Sequence, residues 1–225
     1  MNNQVPSASK QSKTPLTRGY KKKARTRQQL VNAAVRIYAH KGAGELALHE
    51  LAQEAGVASG TVYNYFRTKE EVLNAVGIAL AEELSHQVTS VCEGVTDGAE
   101  RFSIGVRTFV RQAEQDPEWA GALINVVRYA EGMRSAVAES IRNDLRIGRK
   151  QGHFHYDEED IAVGLVVSGV MSVMVGIVEG RGVKGQDAIV TKMLLQALGM
   201  DGQAATHLVN KPVPSHALQT PLRVR

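Results

Sequence analysis

The eighteen residues from Ile161 to Val178 carry no charged side chain, and this run limits the fold more than any other stretch of the chain. A segment of that length meets the minimum for a membrane-spanning helix. Its internal pattern points elsewhere. Gly164, Ser168, Ser172, Gly176 and Gly180 recur every four residues and trace a narrow seam of small side chains, along which a second helix can approach closely. Val163, Val166, Val167, Val170, Met174 and Ile177 fill the opposite face. Asp157, Glu158, Glu159 and Asp160 stand immediately before the run, where acidic groups complement a helix dipole. A helix that is apolar all round is a buried one. Together with a helix over 188–198 it is expected to build a four-helix dimer interface, two helices from each subunit, with Gly164, Ser168, Ser172, Gly176, Leu194 and Leu198 at the contact. No membrane partner is expected.

The rest of the chain also reads as helical. Aromatic residues are 5% of the sequence, so the core must come from Ala, Val, Leu, Ile and Met. No alternating strand pattern occurs apart from an extended turn at 153–156, and no repeat of 20–50 residues is present. Apolar residues at three- and four-residue spacing run from Ala24 through Leu30, Ala33, Ala34, Ile37 and Tyr38, and stop at Lys41-Gly42, a basic last turn before a capping glycine. Further helices are predicted over about 72–92, 98–115, 117–132 and 134–151. The fold class is therefore all-α. Its expected parts are a flexible basic arm over 1–23, a three-helix domain over 24–84, a larger helical domain over 85–200, and a tail over 201–225 containing Pro212, Pro214 and Pro221.

Charge is distributed unevenly. Residues 1–71 hold twelve Lys and Arg against five acids, a surplus of seven, so with +4 overall the remainder is net −3. No acidic residue precedes Glu45. Such asymmetry points to a polyanion at the N-terminal end. Lys21, Lys22, Lys23, Arg25 and Arg27, set just before the first helical pattern, are expected to follow a DNA backbone or minor groove.

Between residues 46 and 66 the residue types match the demands of two short helices crossing at a steep angle. Ala52 is small where the helices cross, and Gly56 can take the positive φ of the turn. Leu51, Ala55, Val57 and Val62 fill the wedge, and Tyr65 closes its far end. The second helix, read as Ser59 to Phe66, would lie in the major groove of double-stranded DNA. Gly60 permits close backbone approach, and Ser59 and Thr61 offer hydroxyls. Tyr63 reaches phosphate, and Asn64 can pair with base edges. Lys69, opening the next helix, would meet phosphate. Tyr65 and Phe66 are read as core.

The run Val57-Ala58-Ser59-Gly60-Thr61-Val62-Tyr63-Asn64-Tyr65-Phe66, followed by Thr68-Lys69-Glu70-Glu71-Val72-Leu73, closely resembles the TetR/AcrR family of bacterial regulators. Ala33-Ala34, Lys41-Gly42 and Leu51-Ala52-Gln53-Glu54-Ala55-Gly56 agree with it in order and spacing, so the resemblance covers roughly residues 24–84. Three sites depart from the family pattern. Leu46-Ala47 stand where a Ser or Thr cap is usual, leaving Ser59 or Glu45 to substitute, and Ala58 replaces a Ser. His49 stands at an Arg position and is the weaker phosphate contact. The resemblance implies a repressor that binds a palindromic operator as a homodimer. It further implies release when a small molecule enters the C-terminal domain and moves the helix starting near Lys69. Polar candidates for the effector site are His86, Arg107, Asn125, Arg128 and Tyr129, with Phe102, Phe109 and Trp119 as apolar wall.

Other classes fit poorly. The single cysteine, Cys92, has no nucleophile context, and no phosphate-binding glycine loop or Gly-x-Ser-x-Gly elbow is present, so no enzyme activity and no cofactor are expected. His153-Phe154-His155 with Asp157 is the one metal-like grouping, and a solvated turn is its commoner meaning. A nucleoid-type binder without sequence preference would need a basic surface throughout, which residues after 71 do not provide. The lone cysteine and the polar, basic N-terminus favour a reducing, cytoplasmic setting.

Overall fold

The computed structural model describes residues 18–41, 46–127 and 129–214. Among them ten helices occur and no strand: α1 (Arg18–Lys41), α2 (Leu48–Ala55), α3 (Ser59–Tyr63), α4 (Lys69–Val91), α5 (Gly98–Gln115), α6 (Pro117–Val127), α7 (Glu131–Lys150), α8 (Glu159–Val178), α9 (Gln186–Ala197) and α10 (Gly202–Asn210). Gly42, Glu45, Arg128 and Pro221 lie outside the described residues, as does the expected arm up to residue 17.

Helix α1 starts earlier than its apolar period predicts. Arg18 to Ala24 contribute no apolar stripe, yet they extend the helix by two turns, because Lys, Arg and Ala are all good helix formers. Lys21, Lys22, Lys23, Arg25 and Arg27 are therefore exposed on a helix rather than strung along a flexible arm. From Leu30 on, one face of α1 is buried (Leu30, Val31, Ala33, Ala34, Ile37 and Tyr38).

The opposite end of the chain also holds a helix the sequence does not announce. α10 forms within the expected tail, opened by Asp201, whose carboxylate accepts from the backbone N–H of Gln203 (2.7 Å) and Ala204 (3.2 Å). Ala205 and Val209 bury its inner face. The turn at 153–156 is irregular, and Phe154 is driven into the core edge-on to Phe102.

Helices α1 to α3 pack as one group, α4 leads out of it, and α5 to α9 form the larger bundle. One continuous apolar core runs from Leu30 in α1 to Val209 in α10. α8 is the only described helix long and apolar enough to cross a membrane. Ala162, Val163, Val166, Val170 and Met174 tie it into the bundle, and Gly169 lets α9 come close, with Leu194 Cδ2 3.1 Å from where a Cβ would stand. Its acidic first turn is gripped by α7: Arg146 donates to both oxygens of Glu159 (2.8 and 2.7 Å), and Arg142 reaches Asp160 (2.8 Å).

Candidate functional site

The turn between α2 and α3 depends on Gly56, which takes the left-handed conformation (φ 65°, ψ 36°) and closes α2. Its N–H donates to Gln53 O (3.1 Å), and that of Val57 to Ala52 O (3.0 Å). Leu51, Ala52, Ala55 and Val62 are buried in the angle between the helices. Neither helix has a side-chain cap: Ala47 and Ala58 hold the cap positions, and the Ser59 side chain does not substitute. α1 supplies what the caps do not. Gln29 Nε2 donates to Ala55 O (2.7 Å), Arg36 pairs with Glu54 (2.6 Å) and Lys41 with Glu50 (2.9 Å), so α2 is held along its whole length.

α3 is shorter than predicted. It ends at Tyr63, and Tyr65 and Phe66 turn back on Val62 O, each N–H at 2.9 Å. That turn puts Phe66 in the core and leaves Tyr65 half-buried, while Tyr63 (57% exposed) and Asn64 face outward. Ser59 and Gly60 are exposed on the same short helix, Thr61 is half-exposed, and no atom lies within 4 Å of the open side of Gly60. His49 is exposed on α2, and Lys69 on the first turn of α4. Arg27 stacks over the Phe66 ring (5.6 Å), fixing one of the α1 cations beside the end of α3. Thr68 Oγ1 caps α4 by accepting from Glu71 N–H (3.3 Å), and Glu71 reaches back to the N–H of Arg67 (2.7 Å). Glu70 has its carboxyl lowered by its own backbone N–H and then by Thr68.

Behind this face α4 passes along a cavity of about 150 Å³. Its wall takes Ala81 and Val88 from α4, Phe102 and Phe109 from α5, Leu123 from α6 and Met171 from α8. Two of the sequence candidates, Phe102 and Phe109, are in that wall, and Trp119 supports it edge-on to Phe109 (5.3 Å between centroids). The polar candidates lie elsewhere. Arg107 is buried but turned away, donating to Lys211 O (2.6 Å) and facing Asp187 (3.5 Å), which Arg111 also holds (2.6 Å). Burial, and then the neighbouring Arg111, lower the Arg107 pKa against the pull of Asp187. Asn125 is spent on the backbone of Tyr38 (2.9 Å), and His86 and Tyr129 are exposed. Arg128 is outside the described residues.

The polar groups that do line the cavity are Ser140 and Asp144 of α7, which sequence reasoning missed. A signal for Asp144 existed: an acid inside the stripe Val137, Ile141, Leu145, Gly148 that turns to the core. Arg101 Nε donates to Asp144 Oδ1 (2.7 Å) and its Nη1 to Cys92 O and Val95 O (3.4 and 3.3 Å). Burial raises the Asp144 carboxyl in spite of Arg101. It also pushes the Cys92 thiol up to about 11, away from nucleophile chemistry. His153, in the metal-like grouping, instead meets Asp97 (2.8 Å) at the start of α5.

The predicted interface splits into two groups. Gly164, Ser168 and Ser172 are exposed on α8, beside Ile161 and Leu165. Gly176, Leu194 and Leu198 are buried within the subunit, because α9 turns those leucines onto α8 and its own core. The apolar side chains that α9 leaves outside are Ile189 and Met193, 51% and 64% exposed.

Two family models match the chain: "Bacterial regulatory proteins, tetR family" over residues 30–76, and "Tetracyclin repressor-like, C-terminal domain" over 97–211. Among curated proteins, the HTH-type transcriptional regulator BetI of Rhizobium meliloti is 28% identical over 146 residues, 61% of this chain and 71% of that protein. Regulators of Haemophilus influenzae and of Aromatoleum are matched over 30% and 50% of their own length. Among solved structures, RolR in complex with resorcinol is 25% identical with a TM-score of 0.65, covering 87% of this chain and 98% of that one. The SmeT–triclosan complex, at 19% identity and a TM-score of 0.65 over 85% of this chain and all of the other, shares the fold.

Proposed function

The chain belongs to the tetR family of bacterial regulatory proteins, DNA-binding transcriptional regulators, and from that premise we propose that it is a ligand-responsive repressor. It binds a palindromic operator in double-stranded DNA as a homodimer and leaves it when a small molecule fills the cavity behind α4. One observation carries this reading: α4 presents Lys69 beside α3 at one end and lines the cavity with Ala81 and Val88 further along. A ligand that favours one setting of α4 therefore changes how the two α3 helices of a dimer match the groove, and it must bind the two settings unequally to do so. Bound small molecules in RolR (resorcinol) and SmeT (triclosan) support a ligand in this fold.

The DNA face is Ser59, Gly60, Thr61, Tyr63 and Asn64 for the groove, with His49, Lys69 and the α1 cations Lys21, Lys22, Lys23, Arg25 and Arg27 for phosphates. The dimer contact is the outer face of α8 and α9: Ile161, Gly164, Leu165, Ser168, Ser172, Ile189 and Met193. A patch of exposed apolar residues on two neighbouring helices is what an isologous contact needs.

Selection of the preferred operator from random DNA, followed by a gel-shift screen of small molecules for release, tests the proposal. Recovery of a two-fold-symmetric site and a releasing compound is expected. Equal affinity for selected and random DNA at physiological salt would replace it with sequence-independent binding.

A further inference from the structure

We infer that the cavity selects an uncharged, single-ring-sized apolar molecule with one hydroxyl or N–H donor, which it presents to the Asp144 carboxylate. The inference rests on the ligand-responsive reading above and goes on to state what the ligand is made of.

Size comes first. A cavity of about 150 Å³ takes a ligand about as large as benzene. The wall is otherwise aliphatic and aromatic, and among the described residues its only polar side chains are Ser140 and Asp144. They stand one turn apart on α7, Ser140 exposed at the rim and Asp144 buried within, so the inner end of the cavity offers one polar side chain to a ligand substituent.

Charge then narrows the class. Asp144 is buried; its Oδ1 accepts from Arg101, and Asn143 also hydrogen-bonds its carboxylate. A carboxylate has about four acceptor positions, so it can take another donor and keep Arg101. The pair is neutral as a unit, and no basic side chain stands in the described wall. A carboxylate ligand would be pressed against Asp144 with no free cation to balance it. An ammonium ligand would leave an unmatched positive charge between apolar walls. A hydrocarbon fills the space but makes no use of the acid. A neutral donor adds a charge-assisted hydrogen bond and no net charge.

The test is calorimetric titration of the full-length protein with phenol, toluene, benzoate and benzylammonium. Phenol is expected to bind about tenfold or more tightly than each of the other three, as one hydrogen bond to a charged acceptor implies. Gly105→Leu marks the site, since a Cβ at Gly105 meets only Val88 Cγ1, at 4.0 Å, and the longer side chain projects into the cavity. It should abolish phenol binding while the helical circular dichroism stays unchanged. Asp144→Asn should shrink the phenol-to-toluene ratio several-fold. If that variant does not fold, the wild-type series still decides. Toluene, benzoate or benzylammonium binding as tightly as phenol overturns the donor class while leaving the cavity a ligand site. Phenol binding untouched by Gly105→Leu overturns the location. Failure of all four probes to bind at millimolar concentration overturns the inference, while the ligand-responsive reading stands or falls separately on whether the release screen yields any releasing compound.

Discussion

The side-chain amide of Asn125 donates a hydrogen bond to the backbone carbonyl oxygen of Tyr38 (2.9 Å), which binds α6, a wall of the cavity, to α1, the support of α2 and α3. One turn earlier Gly121 lets the two backbones close up, for a Cβ there would stand 3.1 Å from Ala39 O. The cavity is thus joined to the DNA face through α6 and α1 as well as through α4. Asn125→Ala is expected to lower stability by about 1 kcal/mol in urea unfolding. Effector affinity should be unchanged and the effector-driven fall in operator affinity smaller. An unaltered fall would show that α4 alone carries the coupling.

Lys69→Ala and Asn64→Ala should fail in different ways. The lysine variant is expected to weaken all DNA sequences alike and reduce the salt dependence of log K by about one unit. The asparagine variant should cost about 1–3 kcal/mol at one base pair of each half-site and relax selection there. Gel shifts over a salt series and a set of single-base operator changes separate them.

Ile189→Asp with Met193→Asp should give a folded monomer in sedimentation velocity and remove operator binding, since both side chains are exposed on the subunit. Leu194→Ala acts differently. Leu194 is buried against Gly169, so its loss is expected to cost about 2–5 kcal/mol of subunit stability. A stable Leu194→Ala monomer would contradict that assignment.

Asp201 gives a pH signature. The backbone N–H groups of Gln203 and then Ala204 hold its carboxyl below the ordinary value of 3.8. Its contribution is therefore fully present above that value and is lost as pH falls through the lowered one. Asp201→Asn keeps a good cap at every pH. Wild type and variant should unfold at similar urea concentrations near about pH 6, with the wild type falling behind towards about pH 3. Parallel curves across the range would count against the cap.

Local sterics made much of this molecule legible in its sequence. Ala52, Gly56 and Val62 define the helix pair because their roles are set by neighbours a few residues away. The end of α3 was less legible, since Tyr65 and Phe66 continue its composition while Phe66 turns into the core beneath Arg27. Long-range partners left no period to read. Arg107 and Asn125 look like ligand groups in a helical pattern, and their actual partners, Asp187 and Tyr38, are 80 and 87 positions away. Leu194 and Ile189 are equally apolar, and the sequence does not say which of them faces its own subunit.

The early start of α1 has a mechanical meaning. From Lys21 to Tyr38 the helix is a rod of roughly 25 Å, at about 1.5 Å per residue. A tilt of about 5° at the Asn125 contact would sweep Lys21 through roughly 2 Å, a large fraction of a phosphate contact. Because the backbone that carries these cations is already helical, the proposed contact with DNA would cost little backbone freedom, and it could not adapt to a misplaced phosphate backbone as a loose chain would. Any tilt of α6 passed on through Asn125 would therefore be magnified at the basic end of α1, as at the tip of a lever whose fulcrum is the cavity wall.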